Sequence, residues 1–244
     1  YGAKDPRSMT LRFHTQTAGC SLTAQQPEIN IVRVAIQAMA GVLGGTQSLH
    51  TDSMDEALAL PSEKAVQIAL RTQQIIAHES GVANVADPLG GSYYLEWLTD
   101  DMERQSRDYF DRIESLGGVV SAIEKGFFQK EIAAAAYKYQ QEIDNNERTV
   151  VGVNEFTSNE PVEIPILEMD PEGFERQCKR LKNLRSSRNK ARHEASLTAI
   201  EKAAEGDENL MPHFIEAAKA KATLGEMCDV LRGVFGEYRE GSDF

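Results

Sequence analysis

Two short segments hold most of the side chains that could do chemistry. Phe13-His-Thr-Gln-Thr-Ala-Gly-Cys-Ser carries His14 and Gln16, and Gly44-Gly-Thr-Gln-Ser-Leu-His-Thr-Asp-Ser-Met-Asp-Glu-Ala57 carries Gln47, His50, Asp52 and Glu56. Each lies where a β-favouring stretch runs into a polar loop, and in parallel α/β barrels the C-terminal strand ends build the active site. The residue types suit polar recognition: imidazoles and amides that donate or accept, and a carboxylate that accepts. Each also has a plainer reading. His14 and His50 taken alone are more often structural histidines, and Ser53-Met-Asp-Glu56 fits a capping box in which Glu56 reaches back to a backbone N–H. The sequence has no P-loop, GxGxxG, HExxH or GxSxG pattern.

The elements that must position these groups follow from patterning. We expect a strand over 9–14 and a helix from about Pro27 with Ile29, Val32, Ile36, Met39 and Leu43 on one face. Gly44-Gly45 ends that helix; a second strand over 46–50 and a helix from about Pro61 to Glu79 complete a strand–helix–strand–helix order typical of parallel α/β units. After Asp87-Pro-Leu-Gly-Gly91 the pattern turns helical. One helix has Thr99 as its candidate N-cap, Met102, Tyr109, Ile113 and Leu116 on one face and Gly117-Gly118 as its stop; another has Ile132, Ala136, Tyr139 and Ile143. Trp97, Tyr93 and Tyr94 read as a packing cluster, and Val150–Asn154 as an extended segment. Prolines over 157–171 suggest a linker. Beyond it, Phe174, Cys178, Leu181 and Leu184 open a long helix whose basic run, Arg176 to Arg192, reads as a solvated surface, and 214–238 offers at least one more helix. Two parallel strands leave unpaired N–H and C=O groups on both outer edges, so we expect other polypeptide to complete the sheet.

The chain has 244 residues, 41% hydrophobic and 26% charged, as in a globular protein. No apolar run approaches the ~20 residues of a membrane helix. Its 26 basic and 38 acidic side chains give a net charge of −12, which argues against nucleic-acid partners. Cys20, Cys178 and Cys228 form neither a CxxC nor a Cys/His array. With no secretory signal, a cytoplasmic or organelle-matrix setting is expected. The N-terminus, Tyr1-Gly-Ala-Lys, is what a chain beginning partway along a longer parent would show.

Five ordered blocks carry a family resemblance: Leu11-Arg-Phe-His-Thr-Gln-Thr-Ala-Gly, Thr46-Gln-Ser-Leu-His-Thr, Asp55-Glu-Ala-Leu-Ala-Leu-Pro61, Asp87-Pro-Leu-Gly-Gly-Ser92 and Val151-Gly-Val-Asn154. They resemble the large, substrate-binding subunit of the adenosylcobalamin-dependent acyl-CoA mutases, the methylmalonyl-CoA mutase family. The resemblance covers nearly the whole chain and implies an α/β fold: the last two strand–helix units of a (β/α)8 TIM barrel over 1–92, then a mainly helical C-terminal extension. That extension divides into 93–156 packing on the barrel, the linker 157–171, and a candidate subunit-docking segment 172–244.

The same resemblance implies an isomerase, part of a larger chain or complex, that rearranges the carbon skeleton of a short branched acyl-CoA through a radical. Gln16 then contacts the cofactor and, with His14, which lines the site, is a catalytic candidate; Glu56 binds the adenosyl ribose and Ala57 lies beside the corrin. Gln47 and His50 line the substrate pocket or support it. Asp52 is counted with the cofactor-binding residues but stands where many members have Asn, which alters one polar contact near the adenosyl group. Cys20 stands where methylmalonyl-specific members have Trp; with Phe13 it is closer to the isobutyryl-CoA and 2-hydroxyisobutyryl-CoA branch. The sequence has no Asp-x-His-x-x-Gly motif, so the cobalt's lower ligand is expected from another domain or chain. Implied partners are the acyl-CoA substrate, the N-terminal barrel half, a cobalamin-binding small subunit or domain, and a GTPase metallochaperone, with no membrane or nucleic acid. An alternative is a non-catalytic module that docks a cobalamin-binding subunit or metallochaperone.

Overall fold

A computed structural model describes residues 2–161 and 163–239. These fall into two compact units, the first reaching Glu168 and the second beginning at Met169. The architecture is mixed and mostly helical, with one small parallel sheet.

In the first unit, strand β1 (His14–Gln16) pairs with β2 (Ser48–His50), and helix α1 (Asn30–Leu43) crosses between them. The register is His14 with Ser48, Thr15 with Leu49 and Gln16 with His50. β1 shares only His14 with the expected 9–14 and runs on to Gln16, whereas β2 is a shorter version of the expected 46–50. Pro6–Met9 is instead a 3-10 turn capped by Asp5, whose Oδ1 accepts from Arg7 N at 2.9 Å. β-Favouring residues make a strand only where a ladder partner stands, and none flanks 10–12 among the described residues.

Alternation along the ladder sets its two faces. His14, Gln16, Ser48 and His50 are exposed on one face, while Thr15 and Leu49 are partly covered on the other. Gly41 of α1 closes over that second face: a Cβ there would come within 3.1 Å of Thr15 Cγ2. The buried stripe of α1 is Asn30, Val34 and Ala38. This corrects the expected face, since Val32 and Ile36 are 57% and 67% exposed. The helix is apolar on more than one side, and close approach to the sheet selects the stripe with smaller side chains.

Helix α2 (Glu63–Glu79) starts after Ser62, whose Oγ accepts from Ala65 N at 3.3 Å, and buries Ala65, Ala69, Thr72 and Ile76. Helices α3 (Tyr93–Ser115), α4 (Val119–Glu124) and α5 (Phe127–Asp144) follow. Thr99 is not the N-cap of α3. Its hydroxyl donates to Leu95 O from inside the helix, which begins after Ser92. Tyr94 and Trp97 stack at 6.3 Å, yet Tyr93, Tyr94 and Trp97 are all exposed, so no core forms there. Glu131 of α5 joins α3 by accepting from Arg112 and Tyr109, both at 2.7 Å. The segment 150–154 turns rather than extends. Val153 N bonds Val150 O, and Asn154 accepts from Val150 N while donating to Arg148 O. Arg33 of α1 donates to Val151 O at 2.6 Å, holding this turn against the start of α1.

Among the described residues, 157–170 form neither helix nor strand. The second unit holds α6 (Gly173–Ser187), α7 (Lys190–Ala204), α8 (Leu210–Lys219) and α9 (Leu224–Phe235). Its core lies where α7 meets α8 and α9, around Ile200, Ala203, Ala217 and Ala220. The long helix expected after Phe174 ends at Ser187, and Asn189 caps α7 by accepting from Arg192 N at 2.9 Å. Phe174 is 79% exposed and Cys178 is exposed, so the expected buried stripe reduces to Leu181 and Leu184, both half-buried. In the basic run, Arg188 departs from the expected solvated surface: its side chain is 14% exposed and doubly bonded to Glu226 at 2.8 Å. No helix among the described residues is long and apolar enough to cross a membrane.

Ile200 is fully enclosed. Ile200→Ala is expected to cost about 2–5 kcal/mol through lost burial and a residual cavity. Urea denaturation followed through helical signal checks this; a cost below about 1 kcal/mol would mean the second unit repacks around the gap.

Candidate functional site

The chain leaves β1 into Thr17-Ala-Gly19 and leaves β2 into Thr51–Asp55, so both loops open at the same end of a parallel ladder. Asp52 is the hub. Its side chain has no exposure, yet Oδ2 accepts from Thr17 Oγ1 at 2.8 Å, Oδ1 accepts from Gln16 Nε2 at 3.2 Å, and His50 Nε2 lies 3.5 Å from Oδ1. In return Asp52 N donates to Thr17 Oγ1 at 2.9 Å. Burying a carboxylate without partners would be costly; here three neighbours enclose it.

The turn itself is held from two sides. Asn30, fully buried at the start of α1, donates to Met54 O and to Thr23 O at 2.9 Å and accepts from Thr23 N and Arg33 Nη1. Thr51 Oγ1 donates to Ala69 O of α2 at 2.8 Å, and Asp55 Oδ2 accepts from Ser62 N at 2.9 Å. Among the described residues, Ser53 Oγ and Asp55 Oδ1 are buried without a hydrogen-bond partner.

Glu56 stands exposed at the lip of this turn. The capping-box reading fails: residues 54–58 form a turn, α2 begins at Glu63 with Ser62 as its cap, and Ser53 Oγ accepts nothing among the described residues. The Glu56 carboxyl leans instead onto the first loop, its Oε1 only 2.8 Å from where a Cβ on Gly19 would sit. A side chain at position 19 would displace it. Desolvation against the loop raises the Glu56 pKa, the negative charges of Asp52 and Asp55 raise it further, and His50 opposes them. A recess of about 210 Å³ adjoins it, lined by His50, Ser53, Glu56 and the α2 residues Val66, Leu70 and Gln73.

Of the residues singled out from sequence, Gln16, His50, Asp52 and Glu56 gather at the strand ends, and Ala57 is exposed beside Glu56. His14 shares the face of Gln16 two ladder pairs earlier, with Nδ1 2.7 Å from Ser48 Oγ. Gln47 lies at the opposite, N-terminal end of β2, where its amide accepts from Phe13 N at 2.8 Å and donates to Gly45 O. Sequence reasoning missed Thr17, Ser48 and Asn30. Ser48 was findable as the alternation partner of His50; Asn30, a polar residue inside an apolar helical pattern, signals only that some backbone needs it.

Comparison with known proteins identifies the family. The sequence profile of the methylmalonyl-CoA mutase family matches residues 1–237. The chain is 47% identical over 242 residues to the 2-hydroxyisobutanoyl-CoA mutase large subunit of Aquincola tertiaricarbonis, covering 98% of this chain and 43% of that protein. It is 44% identical over 238 residues to mitochondrial methylmalonyl-CoA mutase of Homo sapiens, covering 97% of this chain and 32% of that protein. With methylmalonyl-CoA mutase of Escherichia coli (strain K12) it shares 43% over 239 residues, covering 98% of this chain and 34% of that protein. The chain thus spans less than half the length of these relatives. With a profile match over nearly all of its residues, the chain belongs to the methylmalonyl-CoA mutase family.

Proposed function

We propose that this chain supplies part of an adenosylcobalamin-dependent acyl-CoA mutase, contributing the last two strand–helix units of a (β/α)8 barrel over 1–92. The helical stretch 93–156 packs on that barrel, and 172–244 docks a partner subunit across the linker 157–171. The observation that carries this reading is the convergence of Gln16, His50 and Glu56 at one end of a parallel ladder whose outer edges are both unpaired among the described residues. Open edges call for flanking strands, and a lip of polar groups over the strand ends suits a ligand carrying hydroxyls.

The residues present fit the adenosyl portion of that cofactor. Glu56 leans over a loop that stays open because position 19 has no side chain, and its carboxylate can accept from two ribose hydroxyls. Gln16 offers an amide at the same level, and Ala57 leaves room for a bulky ring system. His14 and His50 extend the polar face toward the acyl group, while Gln47 supports the strands from their far end. Adenosylcobalamin supplies the radical that starts a carbon-skeleton rearrangement; the task of this chain is to fix the ribose and exclude water. The cobalt's lower ligand comes from another domain or chain.

The relative named a large subunit supports a small subunit as partner, and we assign the cobalamin-binding role to it. A GTPase metallochaperone, an acyl-CoA of the methylmalonyl or isobutyryl type and a cytoplasmic setting belong to the same proposal.

The test is reconstitution. The full-length protein, combined with its cobalamin-binding partner, is expected to isomerise methylmalonyl-CoA, isobutyryl-CoA or 2-hydroxyisobutyryl-CoA only when adenosylcobalamin is added. Absence of turnover with all three would remove the mutase reading. In the alternative reading, a docking module, the exposed apolar residues Phe174, Leu224 and Phe235 would still hold a partner subunit in an inactive complex.

A further inference from the structure

We propose that Asp52 is a positioning residue that fixes the donor–acceptor sense of the strand-end cluster, leaving the carbonyl oxygen of Gln16 as the group available to a ligand. A carboxylate accepts hydrogen bonds and does not donate them. Gln16 meets Asp52 Oδ1 at 3.2 Å, so its NH2 side must face that oxygen. The two ends of a glutamine amide have nearly the same shape, and only the neighbouring network decides which way round it sits. An amide at position 52 could donate or accept and would close the contact either way; a carboxylate closes it one way only.

The remaining contacts lock the arrangement. Asp52 N donates to Thr17 Oγ1 at 2.9 Å, which leaves the Thr17 hydroxyl hydrogen for Asp52 Oδ2 at 2.8 Å. Thr17 N donates to His50 O at 3.2 Å, joining this pair to β2. With its side chain wholly enclosed, Asp52 acts on a ligand through Gln16 and not by touching it. His50 Nε2 lies 3.5 Å from Asp52 Oδ1, so the imidazole borders the cluster.

Asp52 also acts on Glu56. The groups that bear on Glu56 electrostatically are Asp52 and Asp55, which raise its pKa, and His50, which lowers it; the α2 residues lining the adjoining recess, Val66, Ala69, Leu70 and Gln73, are uncharged. Removing the Asp52 charge therefore lowers the Glu56 pKa.

The functional arm of the test rests on the mutase reading; a stability arm does not. In the cofactor-free full-length protein, Gln16→Glu is expected to lower the melting temperature at neutral pH, because two carboxylates then face each other. Adding Asp52→Asn should recover at least half of that loss, because the introduced amide can donate to the introduced carboxylate. In the assembled holoenzyme, Asp52→Asn alone is expected to lower kcat about tenfold or more, since a small misplacement of a bound group can cost ~10²-fold in rate. KM for the acyl-CoA should stay within about twofold, adenosylcobalamin affinity should weaken, and the acid limb of the pH–rate profile should move to lower pH. No recovery in the double variant, or an Asp52→Asn enzyme with unchanged kcat and an unmoved acid limb, would overturn the assignment. A wild-type holoenzyme inactive on every acyl-CoA tried sinks the mutase reading instead, and the stability cycle alone then decides for or against Asp52.

Discussion

Glu56→Gln in the assembled enzyme is expected to reduce turnover about 10²-fold while the melting temperature stays level or rises slightly. The opposite signs follow from the lip of the turn. Desolvation and the nearby Asp52 and Asp55 charges raise the Glu56 pKa, so the folded state holds that proton more tightly than the unfolded chain does. Such a group contributes stability below its unfolded pKa and loses that contribution as pH rises through the folded one. At neutral pH an ionised Glu56 is therefore a small burden on the fold, which glutamine removes. For binding the balance reverses: a carboxylate accepts hydroxyl hydrogens in charge-assisted bonds roughly twice as strong as neutral ones, and glutamine keeps the shape without the charge. Activity should also fall as pH drops through the raised pKa. Gly19→Ala should mimic much of the rate loss, since the new methyl would lie 2.8 Å from Glu56 Oε1. Full turnover in Glu56→Gln would take Glu56 out of the site.

The second large effect is one of stability. Glu226→Ala is expected to cost the second unit about 2–4 kcal/mol, below the usual range for a fully buried pair because some solvent reaches it. Glu226 accepts from both Arg188 guanidinium nitrogens at 2.8 Å, lies 3.3 Å from His193 Nε2 and closes the capping box of α9 through Thr223 N at 2.8 Å. One truncation strands an arginine that is 14% exposed and removes a helix cap, worth ~1 kcal/mol alone. The Arg188 guanidinium, with help from Thr223, holds the Glu226 carboxyl far below its ordinary 4.5. A depressed carboxylate stabilises fully above its unfolded pKa and loses that contribution as pH falls through the folded one. The gap between wild type and variant in urea denaturation should thus be widest near neutrality and begin to narrow below about pH 4.5. A pH-independent gap would assign the loss to packing.

What the sequence disclosed and what it withheld divide on physical lines. Element order was legible because Gly44-Gly45 and Gly117-Gly118 break helical periods and because β-favouring runs bracket α1. Strand length was not: residues 9–13 have strand composition, but composition cannot say where a ladder partner stops. The buried face of α1 was misread because Val32 and Ile36 are as apolar as any stripe, and only the approach of Gly41 to Thr15 selects Val34 and Ala38. In the site, Gln16, His50, Asp52 and Glu56 stood out by type and by position after a strand. Their division of labour did not, because whether a carboxylate faces a ligand or a buried amide depends on the fold of the turn. Asn30 was invisible for a related reason: three of its four bonds go to backbone groups, of Thr23 and Met54, which no side-chain pattern reveals.

The alternation of β1 and β2 also limits how this chain can change by descent. His14, Gln16, Ser48 and His50 share a face only because both strands keep the same odd–even phase. Inserting one residue between Gly45 and Ser48 would turn Leu49 outward and send His50 against α1, and Asp52 would part from Thr17. Two added residues would restore the phase but shift the Thr51–Asp55 turn along the ladder, away from Asn30. The irregular stretch 157–161 has no such phase to keep, and lengthening it costs only the slow logarithm of loop closure. Insertions among descendants of this chain should therefore collect there and stay out of 45–55.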